Sequence, residues 1–216
     1  MMRALLMASL LVVVHASMSW AQALRPNTIG PAPAPSTPTA ASLEKKGEQQ
    51  ILQGRWQEAI VTLQEAMKLD PSRLGPRFGL ATCYIRLERY EEALLLLRPV
   101  YEQLPDNPFV LNNMAWIYLH AHDPKVRDIP QSIVFARRAL LNSPNDPNIW
   151  GTLAECYLAG GDTKLALRMA KIGLATAQKQ NLGDVLEFEE LIDRCHKELG
   201  AKTDSNESRG EDGGKK

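Results

Sequence analysis

The chain has 216 residues, with 25 Lys and Arg against 25 Asp and Glu, so its formal net charge is zero. That balance argues against a general nucleic-acid binder, which carries a basic excess, and against electrostatic attraction to anionic membranes. Hydrophobic residues make up 44%, enough for a packed core, and the abundance of Ala and Leu favours helices. Three cysteines are too few for a disulfide scaffold.

The first 23 residues have the pattern of a secretory signal peptide. Arg3 precedes an apolar run at residues 4–14, and residues 21–23 form the small-x-small triplet that a signal peptidase accepts. We expect cleavage after Ala23, export to a bacterial periplasm, and no membrane insertion of the mature chain. In the alternative, residues 4–20 are retained as an anchor, although a span needs about 20 apolar residues.

The segments that flank the centre of the chain have compositions typical of disorder. Residues 24–40 carry five of the 14 prolines, which favour polyproline II over a packed core, so we predict a disordered linker. Residues 201–216 contain no large apolar side chain, and we predict a disordered tail there as well. The folded domain is therefore predicted at residues 41–199.

The centre of the chain is a repeat. Pro71, Pro105 and Pro144 each follow a helical pattern, and their spacing is close to regular. Each interval contains two amphipathic stretches joined by a short polar turn, which predicts a pair of helices. Counting back from the prolines gives four segments, at residues 40–73, 74–107, 108–146 and 147–180.

These segments resemble tetratricopeptide repeats, in which a W-x2-L-G-x2-Y pattern is followed by A-x3-F and then by proline. The fourth segment matches with Trp150, Leu153, Ala154, Tyr157, Gly161, Asp162 and Ala166. Small residues recur at equivalent helix positions of all four: Gly47, Ala81, Ala115 and Ala154, then Ala59, Ala93, Ser132 and Ala166. The resemblance implies an all-α fold, an α-solenoid of antiparallel helix pairs wound into a right-handed superhelix.

Three features depart from the repeat pattern. The amphipathic segment at residues 184–199 is interpreted as a capping helix, and a dimerisation helix is the alternative because both roles use the same face. The third repeat is longer, and its extra residues lie between its two helices, at residues 122–130. This segment is interpreted as a tolerated loop, and a recognition feature is the alternative. Pro99 lies inside a predicted helix and predicts a bend after Leu97.

The chain has no motif for catalysis or for metal binding. H-E-x-x-H, G-x-S-x-G and phosphate-binding glycine loops are absent from the sequence. His120 and His122 lie two apart, which points them to different faces of a helix. We therefore predict no catalytic residues, no metal site and no cofactor. Cys156 and Cys195 stay open as a disulfide pair if the capping helix folds onto the fourth repeat.

The resemblance implies a concave groove lined by the first helices of successive repeats, which binds extended peptides or partner helices. Repeat positions 2, 5, 9 and 12 share one helical face. Asn112 is suited to a peptide backbone, and Trp116 to an anchoring role. In the alternative, the aromatic residues of this face pack between neighbouring helices. The predicted groove residues are Phe78, Thr82, Phe109, Asn112, Trp116, Asn148 and Glu155.

The resemblance and the leader together predict an exported interaction scaffold or adaptor that binds a protein or peptide. Glu44 and Glu48 stand where chaperone-binding members of the family need a Lys and an Asn, which disfavours recognition of a C-terminal carboxylate. Self-association is a further expectation, because an incompletely capped array end can stack on itself. The alternatives are a membrane-tethered assembly factor and an enzyme whose site carries no recognisable motif.

Overall fold

The structure is a computed structural model that describes residues 37–181 and 185–210, the side chains of 202–210 excepted. The predicted signal peptide and most of the predicted linker lie outside the described residues. Within these two ranges the chain forms nine α-helices and no strand. The helices are α1 (Ala40–Leu52), α2 (Trp56–Leu69), α3 (Leu74–Arg86), α4 (Tyr90–Gln103), α5 (Pro108–His120), α6 (Ile129–Asn142), α7 (Pro147–Ala159), α8 (Thr163–Lys179) and α9 (Leu186–Gly210).

The predicted all-α repeat fold of paired helices is confirmed. The first eight helices are 13 to 17 residues long and are joined by short turns. Several begin at an Asn or Asp whose side chain accepts hydrogen bonds from the first-turn N–H groups, as at Asn107, Asp146 and Asp162. Asp128 starts α6 in the same way, so this helix takes in the last two residues of the loop predicted at 122–130.

The chain divides into two compact units between Leu96 and Leu97, inside α4. Pro99 lies within α4, which continues to Gln103. No helix of the described part is both long and apolar enough to cross a bilayer.

The unit that ends at Leu96 is packed around one leucine of α2. Leu63 is fully buried, and glycines of two other helices leave the space that it fills. A Cβ atom added to Gly47 of α1 would lie 2.5 Å from the Leu63 side chain, and one added to Gly79 of α3 would lie 2.9 Å away. Because both glycines lack that atom, α1 and α3 approach α2 closely enough to exclude water from Leu63.

The unit that begins at Leu97 is closed by α9, which packs against α8 and touches α7. Leu191 and Cys195 of α9 join a buried cluster with Ala166 and Ala170 of α8. The ring of Phe188 fills the space that a Cβ on Gly173 would need, and its Cε1 atom lies 3.5 Å from the place of a Cβ on Gly151. Helix α9 therefore lies across the fourth predicted repeat.

Helix α9 extends further than the sequence indicated. It continues to Gly210, whereas the capping helix was predicted to end at residue 199 and residues 201–216 to be disordered. The predicted end of the capping helix at residue 199 thus differs from the end of α9, and residues 211–216 lie outside the described residues. No proline follows Gly200, and extending an existing helix is much easier than nucleating a new one.

The three cysteines are buried and free in the structure. Burial raises the pKa of the Cys83 thiol to about 12 and that of Cys156 to about 12, and it also raises the pKa of Cys195. The two cysteines that the sequence left open as a pair face different neighbours: the Cys156 thiol lies beside Ser132 of α6, whereas Cys195 lies among side chains of α7 and α8. They pack as small hydrophobic groups.

A thiol reagent at mildly alkaline pH should leave all three cysteines unmodified in the folded protein and modify all three after unfolding, because a buried thiol is neither accessible nor ionised. Mass spectrometry of the intact protein gives the count directly. Isolation of the native protein with Cys156 and Cys195 already oxidised to each other would contradict this arrangement.

Gly47→Ala should destabilise the protein by about 1–3 kcal/mol, since the added methyl group forces Leu63 out of its position. Urea unfolding followed by circular dichroism measures the change. Gly200→Ala is the matched control, because nothing lies within 4 Å of the added Cβ, and in a helix it should be neutral or stabilising. Equal stability of both variants would show that Leu63 is not held by the glycine.

Candidate functional site

Two of the predicted groove residues lie on α3, in the unit that ends at Leu96. Phe78 and Thr82 are both half-buried and lie one turn apart on the same helical face. The Thr82 hydroxyl donates to the Phe78 carbonyl at 3.0 Å, which holds the threonine side chain against its own helix. At this position α3 presents an aromatic ring beside a methyl group.

Three more predicted residues lie on α5 and form what we call the α5 face: Phe109, Asn112 and Trp116. Asn107 starts this helix by accepting from the N–H groups of Phe109 and Val110 at 3.0 and 3.2 Å. Phe109, at the start of the face, is half-buried, whereas Asn112 is 5% exposed and Trp116 is 7% exposed. The indole ring lies 4.3 Å from the His120 ring, which extends the face by one turn.

Two polar atoms of the α5 face have no hydrogen-bond partner in the structure. They are Oδ1 of Asn112, an acceptor, and Nε1 of Trp116, a donor. A buried polar group without a partner costs about 1–3 kcal/mol, so such atoms are uncommon in stable folds. The two residues are four positions apart, which places an acceptor and a donor on one side of the helix. A ligand that offers both an N–H and a carbonyl satisfies the pair.

The two remaining predicted residues lie on α7, which contacts α5 directly. Asn148 is half-buried in the first turn of α7, where its N–H donates to Asp146 at 2.9 Å. Glu155 is engaged by the chain itself: Arg194 of α9 donates to its carboxylate at 2.7 Å, and the Glu155 side chain is 12% exposed. Glu155 therefore holds α9 in place.

The structure thus brings five of the seven predicted residues together on α5 and α7, and places Phe78 and Thr82 in the other unit. Helix α9 covers α7 around Gly151 and Glu155, with Phe188 beside Gly151 and Arg194 on Glu155, and none of these contacts involves Asn148. Sequence reasoning missed both contacts of α9. The helical spacing of Phe188 with Leu191 and Cys195 was a signal, but it did not show which face of α7 the cap would cover.

The positions of α1 that are equivalent to the predicted groove positions of the later repeats carry acidic side chains. Glu44 accepts from Arg73 at 2.6 Å, and this ion pair joins α1 to the start of α3. One turn later, partial burial raises the pKa of the Glu48 carboxyl, and repulsion by Glu44 raises it further. The first repeat therefore carries acidic side chains where chaperone-binding members of the family need a Lys and an Asn to hold a C-terminal carboxylate.

Glu48→Gln should raise the free energy of unfolding at neutral pH. The raised pKa means that the folded state holds its proton more tightly than the unfolded state, so ionised Glu48 destabilises the fold above that raised pKa. The advantage of the variant should shrink as the pH falls and vanish below the ordinary carboxyl pKa of 4.5. Thermal unfolding across acidic and neutral pH tests this, with the exposed Glu65→Gln as the control. A constant difference at every pH would contradict the assignment.

In the part of the chain that the structure describes, no group of three or more His, Cys, Asp or Glu side chains is arranged to hold a metal ion. The chemistry available at the α5 face is apolar contact together with one neutral acceptor and one neutral donor. These are the contacts that a peptide segment makes.

Comparison with known proteins agrees with this architecture. Residues 50–117 match the tetratricopeptide repeat family. Anaphase-promoting complex subunit 7 of Homo sapiens is 28% identical over 151 residues, which cover 65% of this chain, and the protein from Mus musculus matches equally. The chain spans only 26% of the length of these relatives.

Solved structures share the fold at low sequence identity. TTC0263, a thermophilic tetratricopeptide protein of Thermus thermophilus, superposes with a TM-score of 0.62 at 18% identity, covering 75% of this chain and 84% of that one. MamA of Desulfovibrio magneticus, from residue 41 to its end, gives 0.55 at 17% identity, covering 65% and 77%.

The helix pairs, the recurring small residues and the matched region define a helical-repeat protein of the interaction-scaffold class. The resemblance to tetratricopeptide repeats that its segments predicted is confirmed by the family match over residues 50–117 and by the fold that the chain shares with solved tetratricopeptide-repeat proteins.

Proposed function

We propose that this protein is an exported, non-catalytic scaffold that binds a peptide segment or partner helix at the α5 face. The observation that carries the proposal is the pair of unpartnered buried atoms, Asn112 Oδ1 and Trp116 Nε1. A polypeptide backbone supplies an N–H to the first and a carbonyl to the second. Half-buried Phe109 and Asn148 supply contacts beside this pair.

The depth of the two atoms restricts the kind of partner. Because Asn112 and Trp116 are at least nine-tenths buried, a partner that merely lies across the surface does not reach them. The partner must insert a backbone segment or a side chain of its own. Tryptophan is enriched among residues that dominate binding energy, and a fully desolvated setting strengthens each hydrogen bond.

Export is the second part of the proposal, and it rests on the sequence of residues 1–23. Identification of the N-terminal residue of the protein isolated from its native cell tests it. A mature chain that begins at Leu24 supports cleavage and a periplasmic location. A chain that keeps residues 4–20 would overturn export as a free protein and favour the membrane-tethered assembly factor.

Asn112→Leu should weaken partner binding about tenfold without lowering stability, because it removes a binding acceptor that is unsatisfied in the free protein. Trp116→Phe keeps an aromatic ring and removes the donor, so it should weaken binding similarly. The measurement is site-specific photo-crosslinking from position 109 in the native cell, followed by identification of the captured protein.

Asn142→Leu is the matched control, because that asparagine is exposed on α6 and away from the α5 face. Crosslinking from position 125, in the loop between α5 and α6, controls for non-specific capture. Undiminished capture by the Asn112→Leu and Trp116→Phe double variant would contradict the assignment of the face. Loss of capture together with a large drop in melting temperature would indicate a structural role instead.

A further inference from the structure

The outer face of α8 carries a row of positive charge that is interrupted before its last member. Its 17 residues include four cations and no acid. All four cations are exposed, and their spacing places them along one side of the helix. We call this row the basic strip: Lys164, Arg168, Lys171 and Lys179. The described ion pairs of the chain use none of these residues.

An acidic row lies on the neighbouring helix of the same unit. Glu189, Glu190 and Asp193 are exposed on α9, on the side away from Leu191 and Cys195. We call these three residues the acidic strip, and the described ion pairs use none of them either. Exposed Lys197 follows Asp193 by one turn, so α9 is predominantly but not purely acidic on this side, whereas α8 carries cations alone.

Each strip has apolar surface beside it. Leu167 and Ile172 line an open cavity of about 1040 Å³ along α8, together with the cations of the basic strip. Leu186, one turn before Glu190, is 55% exposed. Exposed leucine beside unpaired charge is typical of a contact surface with an apolar centre and a polar margin.

We propose that the α8–α9 surface binds a second copy of this chain, with the basic strip of each protomer against the acidic strip of the other. In a two-fold symmetric dimer the basic strip of one protomer faces the acidic strip of the other. Symmetry repeats this contact, so the dimer contains it twice. An unrelated acidic partner satisfies the basic strip alone, whereas a second copy satisfies both strips together. The α5 face lies on a different helix and stays available for a partner.

The association is weak and sensitive to salt. Exposed ion pairs contribute about 0.2–1 kcal/mol each, so burial of Leu167, Ile172 and Leu186 has to supply part of the binding energy. Screening shortens the reach of surface charges to about 3 Å at 1 M salt, against about 10 Å at 0.1 M. The association constant of the dimer should therefore fall about tenfold when the salt concentration rises from about 0.1 M to about 1 M.

The test is sedimentation equilibrium of the protein expressed with its own N-terminal region, at low and high salt. Wild type should dimerise at low salt. Arg168→Glu with Lys171→Glu reverses the basic strip, and Glu189→Lys with Glu190→Lys reverses the acidic strip. Each double variant should be monomeric alone, because like charges then face each other in both contacts. Thermal unfolding of each variant checks that it is folded.

An equimolar mixture of the two double variants should form a heterodimer with a dimer constant within about threefold of wild type, since both contacts are again between opposite charges. Misfolding of a variant does not produce this recovery. A wild-type protein that stays monomeric at low salt would overturn the proposal, as would a mixture that fails to associate. Neither result bears on binding at the α5 face, which the crosslinking of Asn112 and Trp116 variants measures separately.

Discussion

Close approach of helices at positions without a side chain is the constraint on which the structure depends. Gly47 and Gly79 leave the space for Leu63, and Gly173 leaves the space for Phe188. A pair of helices cannot bury its own apolar stripe, so each repeat is stable only when a large side chain of one helix fills a gap in its neighbours. Alanine at equivalent positions, as at Ala81 and Ala115, allows the same approach, and both residues are fully buried.

The packing of α9 determines which residues of α7 are covered by the chain itself. Phe188 lies against Gly151, and Arg194 binds the carboxylate of Glu155, a residue of the predicted groove. The unsatisfied donor and acceptor lie instead on α5, at Trp116 and Asn112. The ion pair that holds α9 and the two unpaired polar atoms therefore lie on different helices of the same unit. The ion pair between Glu155 and Arg194 holds α9 on α7, whereas the polar atoms left unpaired on α5 are those that we propose a partner satisfies.

Much of this architecture was predictable because repeats carry local signals. The helices end before Pro71, Pro105 and Pro144, since proline has no N–H to donate and clashes with the preceding turn. The shared helical face of Phe109, Asn112 and Trp116 followed from their spacing alone. Burial of those residues did not follow, because exposure depends on what packs against a face, and spacing carries no information about that. The end of α9 at Gly210 did not follow either, since composition describes average solubility rather than the propagation of an existing helix.

The sequence by itself determined the helix pairs, the register of small residues and the class of protein, because these depend on periodicity and on contacts between neighbouring segments. Only the tertiary structure decided that Glu155 serves the cap, that Cys156 and Cys195 face different neighbours, and that Asn112 and Trp116 keep unpaired atoms. These outcomes depend on the direction of side chains between helices distant in sequence. Zero net charge likewise concealed the separation of charge between α8 and α9, since a sum over the chain does not record where on the folded surface each charge lies.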